Sequence, residues 1–494
     1  MATAIKEDYY VLNPACRIRN DGKYVFAGFP SDISVSVLRL APMEGIMAAL
    51  MNGERSMDEA TGFFEAMAAP TSTDPQQDAK TMVRYLVKRH LEPLGDMPGP
   101  LLVPRSELTD EQLRSLPQHD PVDFIVKPED YNPIDLKLSY PASILWLITN
   151  ECAVSCQYCY MDKTKIEKNN LVPFERMREV LTEARGKGLI CVSLSGGDPF
   201  CHPRIFDLLE LMEELGYAKT SIATKHYMSR GMAERLAACG ILDELQFSID
   251  STVPEIADFL VRTPGFCERT IESIRNVQNA GIEKVAVKGV ITPYNLPTLP
   301  KMYRDMKALG IPTVRMATYG RSGYNHKDKL FNHPDDYKWL DAEFEKLREE
   351  FPGEMISYQN GSPQLEPIGD EQKQKNWESR SRCTAGRTSI TIAPNGKVVA
   401  CEQMPLREQD YLGDIKTQSL EEAWNSAALD EYLIHPPRER LKNTPCYDCS
   451  EEEFNHCQMY MGICVRDCCI QFGTRWYSPP NCPKTPREKY VRQL

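Results

Sequence analysis

Between Ala142 and about Gly323 the chain repeats one pattern: a short apolar run rich in β-branched residues, then an amphipathic stretch with helical spacing. The apolar runs fall at Ile144–Ile148, Ile190–Leu194, Thr220–Ala223, Leu245–Ile249, Val285–Ile291 and Thr313–Met316. Helical stretches such as Pro203–Leu215 and Thr270–Ala280 lie between them. Strands joined through helices run parallel, with right-handed crossovers. Six such units predict an α/β fold, a partial (β/α)6 barrel over residues 142–330. Loops that follow the strands of such a barrel share one face, and the chemistry collects there.

The loops carry unusual residues. Cys152, Cys156 and Cys159 follow the first predicted strand, Gly196-Gly197-Asp198-Pro199 follows the second, and Ser248-Ile249-Asp250 ends the fourth. Three thiolates within eight residues can grip three irons of a [4Fe–4S] cluster and leave the fourth iron open. A three-cysteine zinc site is the alternative.

Nine of the seventeen cysteines lie between Cys383 and Cys482. Cys383, Gly396 and Cys401 form C-x12-G-x4-C, with Pro394-Asn395-Gly396 as a turn between strands at Ser389–Ile392 and Lys397–Ala400. Cys446, Cys449, Cys457, Cys464, Cys468, Cys469 and Cys482 follow. Disulfide scaffolds are usually short secreted chains, so this clustering in a long chain points to metal. One zinc-ribbon site is the alternative, and it leaves many thiols unexplained. Cys16, Cys191, Cys201, Cys239 and Cys267 stand singly and read as small buried side chains.

Residues 1–94 read as a winged-helix-like domain. β-rich runs at Tyr9–Leu12, Arg17–Arg19 and Tyr24–Phe29 precede helical patterns at Met43–Met51, Met57–Met67 and Ala79–Leu91. Asp21-Gly22 marks a hairpin turn, Asn52-Gly53 closes the first helix, and Ser56 with Glu59 forms a capping box for the second. Residues 95–141 are expected to be a linker, because Gly95 to Ile134 holds seven prolines and no sustained period. A helical connector over 331–382, with a helix at Pro334–Glu350, leads to a cysteine-rich iron–sulfur domain over 383–494.

The net charge of -12 argues against nucleic acid as a partner, since phosphate binding favours a basic surface. Glu54, Asp58 and Glu59 around the second helix make DNA binding by the winged helix less attractive still. No secretory signal and no run of 18 apolar residues is found, so a cytoplasmic protein without a membrane span is expected.

These residues resemble the radical S-adenosylmethionine superfamily. Cys152, Cys156 and Cys159 match its CxxxCxΦC motif, with Tyr158 at the aromatic position that lies against adenine. Gly196, Gly197, Asp198 and Pro199 match the segment that meets the methionyl amine. Ser248 and Asp250 match positions contacting the ribose or the methionyl carboxylate, and Arg262 resembles an arginine that pairs with that carboxylate. The resemblance implies S-adenosylmethionine as cofactor, cleaved reductively to a 5′-deoxyadenosyl radical, with electrons from a flavodoxin- or ferredoxin-type reductant.

The C-terminal region is similar to the SPASM extension, which implies two auxiliary [4Fe–4S] clusters and three clusters in all. The resemblance implies Cys446, Cys449, Cys457 and Cys482 for one. Cys383, Cys401 and Cys464 serve the other, with Cys468 or Cys469 as fourth ligand. The spacings from Cys449 to Cys457 and from Cys457 to Cys464 are longer than the family usually shows.

The first domain resembles leader-peptide-recognition domains, which add a leader as a strand to an exposed sheet edge. Arg84, Lys88 and Arg89 would meet acidic leader residues, or form a solvated face. Together these resemblances imply a maturase that abstracts hydrogen from a ribosomally made precursor peptide and cross-links it. A Cys-to-carbon thioether is the first expectation and a carbon–carbon link the second. Formylglycine-type oxidation of Cys or Ser is a rival reaction. An iron–sulfur redox-sensing regulator is a rival without catalysis, and Gly196–Pro199 with Ser248 and Asp250 count against it. No catalytic acid or base stands out.

Overall fold

The computed structural model describes residues 8–31, 35–68, 73–95, 97–114, 116–161, 170–320, 322, 327–359, 370–404 and 406–486. The barrel boundary expected at Gly323 lies outside these. The chain divides into two units, Met1–Ala142 and Ser143–Leu494.

In the first unit, β1 (Tyr10–Leu12), β2 (Arg17–Asn20), β3 (Val25–Pro30) and β4 (Val35–Leu40) precede α1 (Pro42–Leu50), α2 (Met57–Ala68) and α3 (Pro75–His90). The expected hairpin at Asp21-Gly22 joins β2 to β3, with Asn20 opposite Val25. Gly22 takes the left-handed conformation that such a tight turn requires, at φ +81°. The capping box also forms: Ser56 N–H donates to Glu59 at 2.7 Å and Glu59 N–H donates to Ser56 Oγ at 3.3 Å.

The sheet itself differs from expectation. Its antiparallel order is β2-β3-β4, and β4 was not read as a strand. The first expected strand, β1, leaves this sheet and pairs antiparallel with β5 (Leu102–Pro104), Leu12 opposite Leu102. β5 lies within the proline-rich stretch expected to be a linker. That stretch also contributes a short helix, α4 (Asp110–Arg114), and buries Leu102 and Phe124 in the same core as Val25, Phe29, Ile46 and Phe64. Ser139 N–H and Oγ donate to Asp21, which is buried. Residues 95–142 therefore belong to this unit rather than trailing from it.

The second unit holds the expected parallel strands: β6 (Ser143–Thr149), β7 (Cys191–Gly196), β8 (Thr220–Thr224), β9 (Leu242–Ser248), β10 (Val285–Ile291) and β11 (Thr313–Thr318). The crossovers carry α5 (Phe174–Gly186), α6 (Ile205–Glu214), α7 (Arg230–Ala237), α8 (Pro254–Val261), α9 (Phe266–Asn279) and α10 (Leu299–Ala308). β6 pairs with β7, and β8, β9, β10 and β11 pair in sequence order, all parallel. Between β7 and β8 the link is local: Ala218 N–H donates to Ile190 O at 3.0 Å. After α11 (Pro334–Glu350), a short β12 (Tyr358–Gln359) extends the sheet beside β11.

The cysteine-rich region does not stand apart from the barrel. Its hairpin, β13 (Ser389–Ile392) and β14 (Lys397–Val399), adds β13 parallel to the free edge of β6, Ile390 opposite Ile144. β15 (Gly413–Asp414) completes that sheet beside β14. Cys383 and Cys401, which flank this hairpin, are thereby tied through backbone pairing to the strand that feeds the Cys152–Cys159 loop. Among the described residues no helix is long and apolar enough to cross a membrane.

Candidate active site

The loop after β6 is held at both ends. Ser155 N–H donates to Val261 O at 3.1 Å and Gln157 N–H to Leu260 O at 2.9 Å, while the Gln157 amide donates to Phe259 O at 2.9 Å. These carbonyls end α8, where the last turn lacks intrahelical donors, so the loop supplies donors to Leu260 and Val261 and shares Phe259 O with the Arg262 N–H at 3.3 Å. At the loop's base, Gly197 N–H donates to Thr149 O and Asp198 N–H to Glu151 O, both at 2.8 Å. A Cβ on Gly196 would lie 2.2 Å from Thr149 O, and one on Gly197 would lie 2.0 Å from Glu151 O. The glycine pair is therefore required for β7 to press against the root of the cysteine loop.

Cys152, Cys156 and Cys159 are brought together. The Cys156 thiol is pushed up to about 12, chiefly by burial and also by Asp250, Cys152 and Cys159, against the lowering effect of Lys225. Crowded, buried thiols are poor thiolates unless cations join them, and bound iron supplies that charge. Among the described residues no three Cys, His, Asp or Glu side chains converge on a point that would hold a single metal ion. A four-iron cluster distributes its thiolates over separate irons instead.

The expected cofactor residues surround this loop. Tyr158 donates its hydroxyl to Asp250, and Lys225 lies over the Tyr158 ring, 5.6 Å from its centroid. Lys225 Nζ also donates to Ser248 O at 2.7 Å and sits 3.8 Å from Asp250. Asp250 is buried, and its other oxygen accepts Val290 N–H. Asp198 is also buried and accepts from Phe200 N–H, Lys225 N–H and Thr224 Oγ1. Its carboxylate thus fixes the end of β8 to the turn after β7. Arg262 caps α8 in a left-handed conformation, φ +52°, which a non-glycine residue adopts under strain. It lines a cavity of about 520 Å³ with Gln157, Phe259 and Thr263.

All seventeen cysteines are free thiols. In the C-terminal region they form two groups. Cys446 is raised to about 12 by burial and by Cys482, Cys449 and Cys457, and Cys457 and Cys482 each feel Cys449 as well. Donors reach these sulfurs: Arg380 to Cys457 at 3.5 Å, Lys484 to Cys449 at 3.7 Å and Gln458 to Cys446 at 3.8 Å. In the second group Cys401 and Cys464 lie in the field of Cys383, and Cys468 in that of Cys464. Cys469 faces Asp410, Arg407 and Tyr432. Of the two candidates for fourth ligand, Cys468 is the one in the field of Cys464, and it also neighbours Cys469.

Of the five single cysteines, Cys16, Cys191, Cys239 and Cys267 are buried as expected, but Cys201 is only partly so. It accepts from Ala153 N–H within the cysteine loop and lies in the field of Cys152. The sequence also gave no sign of Glu402. Its carboxyl is raised by burial, and it accepts Tyr160 Oη–H at 3.2 Å and Ser195 Oγ–H at 3.5 Å, with Lys288 of β10 nearby. Its one visible signal is adjacency: Glu402 follows Cys401 as Tyr160 follows Cys159.

Residues 146–306 match the model of the radical SAM superfamily. The chain carries a radical SAM domain. Residues 383–450 match the SPASM model, described as an iron–sulfur cluster-binding domain. This radical SAM enzyme is 22% identical to the PqqA peptide cyclase of Gluconobacter oxydans over 72% of the chain and 94% of that protein. It is 23% identical to the mycofactocin maturase MftC of Mycobacterium tuberculosis over 60% of the chain and 74% of the relative. Its fold is similar to that of Streptococcus suis SuiB bound to the precursor peptide SuiA. That match has a TM-score of 0.64 at 16% identity and covers 96% of this chain and 99% of the other. The radical SAM domain uses S-adenosylmethionine and a [4Fe–4S] cluster that binds it, and the SPASM domain adds auxiliary clusters.

Proposed function

We propose that this radical SAM enzyme is a peptide maturase that removes hydrogen from one residue of a ribosomally made precursor and closes a cross-link within it. A thioether from a cysteine sulfur to carbon is the product put first, and a carbon–carbon link second. Cys152, Cys156 and Cys159 would hold the radical cluster. Tyr158, Gly196, Gly197, Asp198, Pro199, Ser248, Asp250 and Arg262 would surround S-adenosylmethionine. One auxiliary cluster would take Cys446, Cys449, Cys457 and Cys482, and the other Cys383, Cys401, Cys464 and Cys468. A flavodoxin- or ferredoxin-type protein would deliver electrons. When bound, these cofactors supply hydrogen abstraction and one-electron transfer.

The observation that carries the reading is the hydrogen bond from Tyr160 to Glu402. It joins the residue after Cys159 to the residue after Cys401, beside Ser195 at the end of β7. Closing a thioether releases one proton and one electron from the substrate. Glu402 is a buried carboxylate whose Oε2 already accepts from two hydroxyls, and it is placed to take the thiol proton. Tyr160, Ser195 and Lys288 would hold it in place. The names of the relatives, a peptide cyclase and a maturase, support the same class of substrate.

In the first unit, α3 exposes Arg84, Tyr85 and Lys88. Arg89 is partly engaged, 3.1 Å from Glu44. We propose that this face and the edge strand β4 receive the leader, by backbone pairing and by charge. The test is to search the neighbouring reading frames for a short cysteine-rich peptide, incubate it anaerobically with the enzyme and analyse it by mass spectrometry. A cross-linked product lacking two hydrogens is expected. An intact peptide, with S-adenosylmethionine still being cleaved, would remove the assignment.

A further inference from the structure

Arg475 is 1% exposed, which makes it one of the largest fully buried side chains. Its Nε donates to Tyr432 O at 2.7 Å and one terminal nitrogen donates to Gln458 Oε1 at 3.2 Å, while the other, Nη1, has no partner. It stacks over Trp476, 4.6 Å from the ring centroid, and faces Tyr432. Among the described residues it makes no ion pair with a carboxylate. A buried guanidinium without an anion loses its hydration uncompensated and destabilises the fold, as any unpaired buried ion does. Two other arginines near these thiols are compensated by carboxylates: Arg466 sits 2.7 Å from Asp467 and Arg407 sits 2.6 Å from Asp410.

What surrounds Arg475 is sulfur from both groups. Gln458, which accepts from Arg475, turns its own amide to Cys446 Sγ at 3.8 Å. Cys468 Sγ donates to the carbonyl of Tyr477 at 3.7 Å, and Tyr477 N–H donates in turn to Arg475 O at 2.9 Å. Cys446 and Cys468 both lie within the electrostatic field of the guanidinium. These cysteines belong to different groups.

We infer that Arg475 is the shared counter-cation of the two auxiliary clusters, holding both reduction potentials up and coupling one to the other. The inference rests on the ligand groups proposed above. A four-thiolate [4Fe–4S] cluster is an anion that gains further negative charge on reduction, so a nearby fixed cation favours the reduced form. Placed between two clusters, one cation stabilises the added electron on either. The Gln458 amide passes part of that effect to Cys446 through its hydrogen bond to sulfur. The missing anion is thus supplied by the cofactors.

The experiment is an electron paramagnetic resonance redox titration of the anaerobically reconstituted holoenzyme, with iron determined in parallel. Arg475→Gln should shift both auxiliary couples to more negative potential. The expected size is at least tenfold in the oxidised-to-reduced ratio at fixed poise, about 59 mV for a one-electron couple. Arg475→Lys should recover much of the shift, and the radical cluster should be unchanged. Full iron with unmoved potentials would overturn the inference, and so would a shift in one couple alone. If Arg475→Gln loses iron, Gln458→Leu decides, since Arg475 remains. A negative shift confined to the Cys446 couple supports the inference, and no shift overturns it. Failure of the ligand groups would look different: Cys446→Ala and Cys468→Ala would then retain all their iron.

Discussion

Tyr160 donates its phenolic hydrogen to Oε2 of Glu402 across 3.2 Å, tying the loop after β6 to the hairpin of the cysteine-rich region. The two residues are far apart in sequence, yet β13 pairs directly with β6, so the contact follows from one continuous sheet. In the proposed reaction, radical generation and the oxidative half would thereby be built onto the same strand pair.

If Glu402 takes a proton during ring closure, Glu402→Gln should cleave S-adenosylmethionine normally but form cross-linked peptide about 10²–10⁴-fold more slowly, the usual range for a lost general base. Tyr160→Phe, which leaves the carboxylate in place, should cost less. Parallel assays of 5′-deoxyadenosine and of peptide product separate the two effects.

The glycine pair makes a stability prediction. Gly197→Ala would place a methyl 2.0 Å from Glu151 O, which is backbone and cannot swing aside. That variant should lose the radical cluster's iron, about four atoms, and melt earlier. Gly62→Ala is the control: Gly62 is exposed within α2 with nothing near its Cβ position, so a gain of about 0.5–1 kcal/mol is expected there. Iron analysis and thermal denaturation read both.

Cys468→Ala should remove about four irons while Cys469→Ala removes none, because Cys464 acts on Cys468 whereas Cys469 faces Asp410, Arg407 and Tyr432. Changing Cys446 and Cys449 to Ala should remove the other set and leave S-adenosylmethionine cleavage intact, since the Cys152–Cys159 loop takes its support from α8 and β7. Equal iron loss from the Cys468 and Cys469 variants would reverse that choice.

The barrel was legible because its strands read as nearly continuous apolar runs, such as Val285–Ile291, which appears with the same bounds in sequence and structure. The cysteines were legible because ligand chemistry imposes spacing. The first unit was less so. β4, Val-Ser-Val-Leu-Arg-Leu, is half exposed and carries no strong apolar run. β1 finds its partner only at Leu102–Pro104, inside a proline-rich stretch that looked unstructured. Pairing over such a distance leaves no local signature. Glu402 and Arg475 were invisible for another reason: a single charged residue shows no period, and only folding reveals that it is buried.

The extent of the first unit changes how it should be removed. Deleting residues 1 to about 92 would strip the core around Leu102 and Phe124, so that truncation should aggregate. Deleting 1–142 follows the unit's boundary and should leave S-adenosylmethionine cleavage intact while greatly slowing modification of full-length precursor. Reversing the charges of Arg84 and Lys88 should weaken binding less, and mainly at low salt. Peptide binding by calorimetry at two ionic strengths checks this.

Hydrogen abstraction from a peptide is the centre of the account, and isotope transfer measures it directly. A precursor deuterated at the carbon to be cross-linked should pass deuterium to 5′-deoxyadenosine in proportion to product formed. If 5′-deoxyadenosine accumulates beside cross-linked peptide with no deuterium above a no-peptide control, the peptide carbon is not the hydrogen donor and the account is wrong.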